Sequence, residues 1–483
     1  MLIDLRFAYL TAIRAGLEYL ASQGEAAPRL RRRSGWPMIG TALNGMPDFQ
    51  FASLGSETGP LDYSSVFESP LLGAMLGQTT SGRSLPWFTA FRDACLENAD
   101  VRTYFVGDEP DARQESSLFS ILTSGILGGV LDAYIHSKGD FGFDEELAVR
   151  FFELWTRPVF EDRLPCRTVV PISFVTFEFD ELELDDGVRI SRIDARDHVA
   201  RLTRPFGTFL SLTDNERAAS LASHALYSEG WSIPRQKNIL LLKAALSEQS
   251  EDQADFIGTF FASLRACFPH PLGYAQVLVE PIGWATRFEY TLQEFGVYSC
   301  GEYRQAVLGA RSTAGDLPVC RTPDLDQLGA AFRELRASNQ RGLKLASSRL
   351  NRAALRDHPD DALVDACIVL EALLSDGSTQ EITHKLSMRL ALVASRAIPS
   401  KAPGEIFREA KDIYSARSKL VHGARKGARD SASEEDAASL RTAAELSFEY
   451  ARTCLLSLLV NPEFRDPVRL DEFLLQSVRQ REA

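Results

Sequence analysis

Apolar positions along this chain recur with two different periods, and the period changes twice. Leu2-Ile3, Ala8-Tyr9-Leu10, Ile13 and Leu17 follow the spacing of an amphipathic helix. Helical patterns broken by Gly/Pro-rich loops, such as 55–60, continue to about residue 165. Over 169–193 the rhythm becomes an alternation of apolar and polar residues around Asp186-Gly187, which predicts a β-hairpin with a type I′ turn. Thr213-Asp214-Asn215-Glu216 reads as a helix start with acid in its first turn. A further strand pair is predicted at 276–280 and 287–292.

From residue 336 the pattern is almost wholly helical. Leu363, Ala366, Cys367, Leu370 and Leu373-Leu374 form one stripe, with Asp360 placed to cap its start. Ser378 and Glu381 form a capping box for a helix carrying Ile382, Leu386, Leu390 and Val393. A third helix runs from about Gly404 and stops at Gly423, since glycine commonly follows a helix end. A fourth begins near Ser433 and carries Leu440, Ala444, Phe448, Ala451, Leu455 and Leu458. Short breaks make successive helices antiparallel, so this part is an all-α bundle. The fold class is α+β and multidomain: a mostly helical region over 1–165, a mixed α/β region over 166–335 and the bundle over 336–483.

Composition sharpens this picture in three places. The net charge of −13 argues against a protein that coats nucleic acid indiscriminately. The charge is uneven, though: residues 1–337 hold 31 basic and 45 acidic side chains, whereas 338–430 hold 16 and 11, leaving that segment locally positive. The seven cysteines are scattered, odd in number and never spaced C-x-x-C, which fits buried thiols in a reducing cytosol. No zinc-ligand spacing appears among them and the seven histidines, so no metal or other cofactor is expected. Asp4, Arg6 and Arg14 interrupt the N-terminus, so it does not read as a signal peptide. The uncharged run 116–131 is too short and too rich in Ser, Thr and Gly to span a bilayer. A cytoplasmic protein without a membrane segment is expected. Over 166–335 there is no P-loop, no G-x-G-x-x-G and no G-x-S-x-G. The run Arg29, Arg31, Arg32, Arg33 reads as a solvated loop.

The third helix of the bundle carries the chemistry. Ile406, Phe407, Ala410, Ile413 and Tyr414 define its apolar stripe, and Arg417 is the next member. Leu420 and Val421 resume the stripe, which puts a guanidinium in a slot facing the interior or a partner subunit. An inward arginine must be paired or used, because an uncompensated buried charge costs several kcal/mol. Glu371, beside Leu370, Ala372, Leu373 and Leu374, is placed to pair with Arg417 or Arg389. His422 follows at the helix end, and Lys411, Lys419, Arg425, Lys426 and Arg429 stand around it. Lys419, Arg425 and Lys426 are candidate RNA contacts, or merely a solvated face.

Arg417-Ser-Lys-Leu-Val-His422 is one of five R-x4-6-H strings in the chain, beside those beginning at Arg192, Arg217, Arg265 and Arg352. It alone combines a strong helix, an inward arginine, a terminating glycine and basic flanks. Asp360-Asp361-Ala-Leu-Val-Asp-Ala-Cys-Ile-Val-Leu-Glu371, then Leu386-Ser-Met-Arg389-Leu-Ala-Leu, then Tyr414-Ser-Ala-Arg417-Ser-Lys-Leu-Val-His422-Gly423, resembles the Apea-like HEPN family over roughly 345–425. Many HEPN nucleases carry Asn, Asp or His directly after the arginine, where this chain has Ser418. The resemblance implies a homodimeric, metal-independent endoribonuclease in which Arg417, His422 and Glu371 serve catalysis. Some members act in bacterial anti-phage defence, and a variable N-terminal region precedes the bundle. Here that region would sense an unknown trigger. The alternative is a non-catalytic HEPN module that binds RNA, a nucleotide or a protein partner and serves as a dimerisation platform.

Overall fold

The computed structural model describes residues 2–23, 30–33, 36, 38–41, 47–50, 58–66, 85–106, 112–202, 213–310, 317–377, 382–423 and 434–479. Among the described residues, five α-helices open the chain: α1 (Leu2–Gln23), α2 (Pro86–Glu97), α3 (Ala99–Val106), α4 (Ala112–Lys138) and α5 (Glu145–Phe160). The stripe predicted for α1 buries Tyr9, Ile13 and Leu17, joined by Leu5, while Leu2 and Ile3 at its start stay exposed. Tyr9 packs edgewise or tilted on Phe91, Phe152 and Trp155 at the centre of this core. Among the described residues, no helix is long and apolar enough to cross a membrane.

The middle of the chain forms a six-stranded antiparallel sheet. Its strands are β1 (Arg163–Ser173), β2 (Glu181–Asp185), β3 (Val188–Arg192), β4 (Ala222–Pro234), β5 (Tyr274–Pro281) and β6 (Gly296–Glu302), in spatial order β6-β5-β1-β4-β3-β2. Helices α6 (Ala195–Leu202), α7 (Asp214–Ser220), α8 (Ile239–Leu246), α9 (Glu251–Cys267) and α10 (Gln305–Ala310) lie between and after the strands. Thr213 and Glu216 close the capping box that starts α7. The chain is thus α+β, with an antiparallel sheet flanked by helices.

Three local expectations change. The hairpin around Asp186-Gly187 comprises only β2 and β3; residues 169–173 belong to β1, which pairs with β4 and β5. β1 is buried almost continuously along its second half, as a central strand must be, and alternation cannot name a strand's partner. The turn is not type I′, since Gly187 takes φ 66° but Asp186 stays at negative φ, and a register shift between Glu183 and Asp185 absorbs the difference. The partner of β5 is β6, not 287–292. The intervening segment instead sends Trp284 and Phe288 into the N-terminal core, where aromatic burial outweighs edge pairing.

The bundle comprises α11 (Leu328–Ala337), α12 (Arg341–Leu355), α13 (Pro359–Leu374), α14 (Ile382–Ala397), α15 (Pro403–Gly423), α16 (Glu434–Val460) and α17 (Pro467–Arg479). Every residue of the predicted α13 stripe is buried. Asp360 does not cap it: His358 holds the cap position without a side-chain bond, and Pro359 opens the first turn. Asp360 and Asp361 therefore act on the helix through its dipole. The Ser378/Glu381 capping box lies outside the described residues. α9 joins the layers, with Phe256, Ile257 and Phe260 packed under the sheet and Ala262 and Ala266 in the core of the bundle.

Candidate functional site

Two helices build the site. Cys367 and Glu371 stand one turn apart on α13; Tyr414 and Arg417 stand three residues apart on α15. The stripe that buries Ile406, Ala410 and Ile413 completely opens to solvent over the last two turns of α15, where Val421 is 50% exposed. Arg417 sits at that transition. Its Nη1 lies 3.4 Å from Glu371 Oε1, with the two side chains 34% and 29% exposed. So Arg417 is neither fully buried nor free: it is a paired cation at the edge of a core.

The surroundings of the pair are dry. The Arg417 Nε and the Tyr414 hydroxyl are both buried without a hydrogen-bond partner. Burial holds the Tyr414 phenol well above its ordinary pKa, with Cys367 and Glu371 adding to the effect. Burial also pushes the Cys367 thiol up to about 12, against the pull of Arg417 and with the push of Glu371. Neither group is ionised near neutral pH, so the charges of the cluster are those of Arg417 and Glu371. Unsatisfied donors at a half-open site are uncommon, because each costs about 1–3 kcal/mol.

Of the two partners the sequence offered Glu371, the fold selects Arg417. Arg389 is buried and donates instead to Asp376, Asp471 and the Leu374 carbonyl. Lys419 is exposed on α15, two residues on from Arg417 and turned to the other side of the helix. The backbone of His422 lies within α15, so its Cα stays about 140° around the helix from that of Arg417. The His422 side chain, Arg425 and Lys426 lie outside the described residues. Two of the competing strings end in buried rings, since His198 and His224 are both enclosed, and a third begins at the buried Arg265.

A second polar cluster escaped the sequence reading. Asp132 of α4 is fully buried and accepts hydrogen bonds from the Tyr63 and Tyr290 backbone N–H groups at 2.9 and 2.8 Å and from Arg33 Nη2 at 2.9 Å. His136, one turn on, lies 3.5 Å from it. Burial would raise the Asp132 carboxyl, but His136, Arg33 and the Tyr290 amide together hold it below the ordinary range. Arg33 also pairs with Glu289 and Asp62. The signal was present in the sequence: Asp132 ends the uncharged run 116–131, where a lone acid on an apolar helix face needs a buried cation.

Among the described residues, no group of three or more His, Cys, Asp or Glu side chains is arranged to hold a metal ion. No family model, curated protein or solved structure matches the chain.

Proposed function

We propose that the C-terminal bundle is an Apea-like HEPN module and that the chain is a metal-independent endoribonuclease acting as a homodimer. One observation carries the reading: Arg417 is paired with Glu371 yet keeps about a third of its surface in water, at 34% exposure, where the last two turns of α15 open to solvent. A structural arginine is expected to be closed in like Arg389, which is 1% exposed with every contact internal. Arg417 instead combines a fixed position with access.

The chemistry needs few parts. The 2′-OH of RNA attacks the adjacent phosphorus while His422 takes its proton, and the 5′-oxygen leaves with a proton returned by the His422 imidazolium. Arg417 steadies the phosphate as its charge grows. The products are a 2′,3′-cyclic phosphate and a 5′-OH. Helical geometry sets Arg417 and His422 on different faces of α15, so two copies of the motif facing one another across a dimer would let each site draw its arginine and histidine from different chains. Lys419, Arg425 and Lys426 would supply phosphate contacts along the substrate.

A second reading rests on the Arg417–Glu371 pair itself, which also suits a bundle lock in a non-catalytic binding module. Incubating the full chain with single-stranded and transfer RNA in EDTA, beside Arg417→Ala and His422→Ala, separates the two. Cyclic phosphate ends from the wild type alone support the nuclease. RNA that is bound but left intact supports the binding module. Cleavage surviving both substitutions removes Arg417 and His422 from the chemistry.

A further inference from the structure

A cleft of about 420 Å³ opens beside the free edge of the sheet, where α6, α8, β6 and the 287–297 segment meet. That volume lies within the range of small-molecule sites, roughly 300–1,000 Å³. Its described walls bring three cationic side chains together: Arg201 of α6, Lys243 of α8 and Arg287.

The two carboxylates of the cleft are already engaged by their own neighbours. Glu289 pairs with Arg33 and Arg287. Glu294 accepts from the Thr286 amide at 2.7 Å, the Thr286 hydroxyl at 2.5 Å and the Arg287 amide at 3.3 Å. Arg201 is almost completely buried and is held by Gln276 Oε1, the Ala219 carbonyl and His198 Nδ1, so its charge is fixed in place. Lys243 differs: among the described residues it makes no hydrogen bond and no ion pair, and it stays accessible at the cleft. Desolvation by the surrounding walls, followed by Arg287 and against Glu294, holds its ammonium below the ordinary lysine pKa. An anion arriving here would favour the charged ammonium by direct attraction. The lining also includes apolar side chains, the half-buried Phe295, Leu292 and Val297.

We infer that this cleft binds a nucleoside phosphate, its phosphates against Lys243 and Arg287 and its base against Phe295. Lysine and arginine together suit a phosphate chain, and an aromatic ring offers any base a stacking surface. The site is independent of the ribonuclease reading, because none of its residues belongs to the bundle.

Calorimetric titration of the full chain with ATP, AMP, adenosine and pyrophosphate tests it, beside Lys243→Glu. Lys243 is exposed and has no described hydrogen bond or ion pair to lose, so the variant is expected to keep the wild-type circular dichroism and Tm. The expected result is binding of ATP or AMP, tighter than pyrophosphate and than adenosine, and weakened at least about tenfold by Lys243→Glu, as loss of one charged hydrogen bond implies. Pyrophosphate binding as tightly as the nucleotides would overturn the nucleoside assignment. Absence of binding at millimolar probe, or nucleotide binding untouched by Lys243→Glu, would overturn the site.

Discussion

Arg417 and Asp132 are both paired charges, yet their surroundings give the two pairs different weights. The Arg417–Glu371 pair is about one-third exposed on each side, at 34% and 29%, and half-exposed pairs contribute at most about 1 kcal/mol. Arg417→Ala is therefore expected to lower stability by less than about 1 kcal/mol in a denaturant titration while abolishing any RNA cleavage that depends on the bundle. A loss of several kcal/mol would favour the lock. Asp132 is fully buried, and its removal takes one of the three carboxylates around Arg33 and leaves two backbone N–H groups unpaired. Asp132→Ala should cost about 3–5 kcal/mol by the same titration, as breaking a buried pair does. One of those N–H groups belongs to Tyr290, which takes φ 54°, so the bond to Asp132 holds a strained turn in place. His224 adds a pH dependence. Burial first, with Arg192 beside it, lowers its pKa from 6.5 to about 4, against the hydrogen bond to the Phe179 carbonyl. The unfolded chain thus binds this proton more readily than the fold does, so the contribution is complete above pH 6.5 and is lost as pH falls toward 4. Stability should drop by about 3 kcal/mol across that window, and less in His224→Gln.

At the scale of elements, a few contacts decide how helices meet. Arg389 of α14 reaches the C-terminal carbonyl of α13 and Asp471 of α17 at once, so one side chain fastens three helices. Arg389→Met should cost about 3 kcal/mol and make α17 the first segment cleaved in limited proteolysis. If α17 stays resistant, its apolar face is enough to hold it. Gly342 marks the approach of α12 to α13, since an added Cβ would stand 2.7 Å from the Ala372 carbonyl. Gly342→Ala is expected to lower stability by about 1–3 kcal/mol through forced separation of the two helices. These approaches explain why the bundle's stripes could be read in advance while its crossings could not.

For the whole molecule, the question is whether the site is shared between two chains. If Arg417 and His422 of different protomers form each site, mixing Arg417→Ala with His422→Ala rebuilds one intact site in every mixed dimer. Random assortment makes half the dimers mixed, so about a quarter of wild-type activity should return. No recovery would place both residues of a site on one chain. The uneven charge bears on substrate binding too: with basic side chains in excess only over 338–430, RNA affinity should fall steeply with added salt. Weak salt dependence would count against phosphate contacts by Lys419, Arg425 and Lys426.

What the sequence determined by itself was local. Period and punctuation placed α13, α15 and α16, the helix start at Thr213 and the β2–β3 hairpin, because each depends on residues near one another in the chain. The same periodicity put Arg417 on an inward stripe and narrowed the partner of Glu371 to two arginines, Arg417 and Arg389. Only the tertiary structure decided between them, by giving Arg389 to Asp376 and Asp471 and leaving Glu371 for Arg417. It alone paired β5 with β6, gathered Arg33, Asp132 and Glu289, and set Lys243 beside Arg287. Those contacts join residues tens to hundreds of positions apart. They arise from which apolar surfaces find each other, and that depends on the shape of the whole core rather than on any window of the chain.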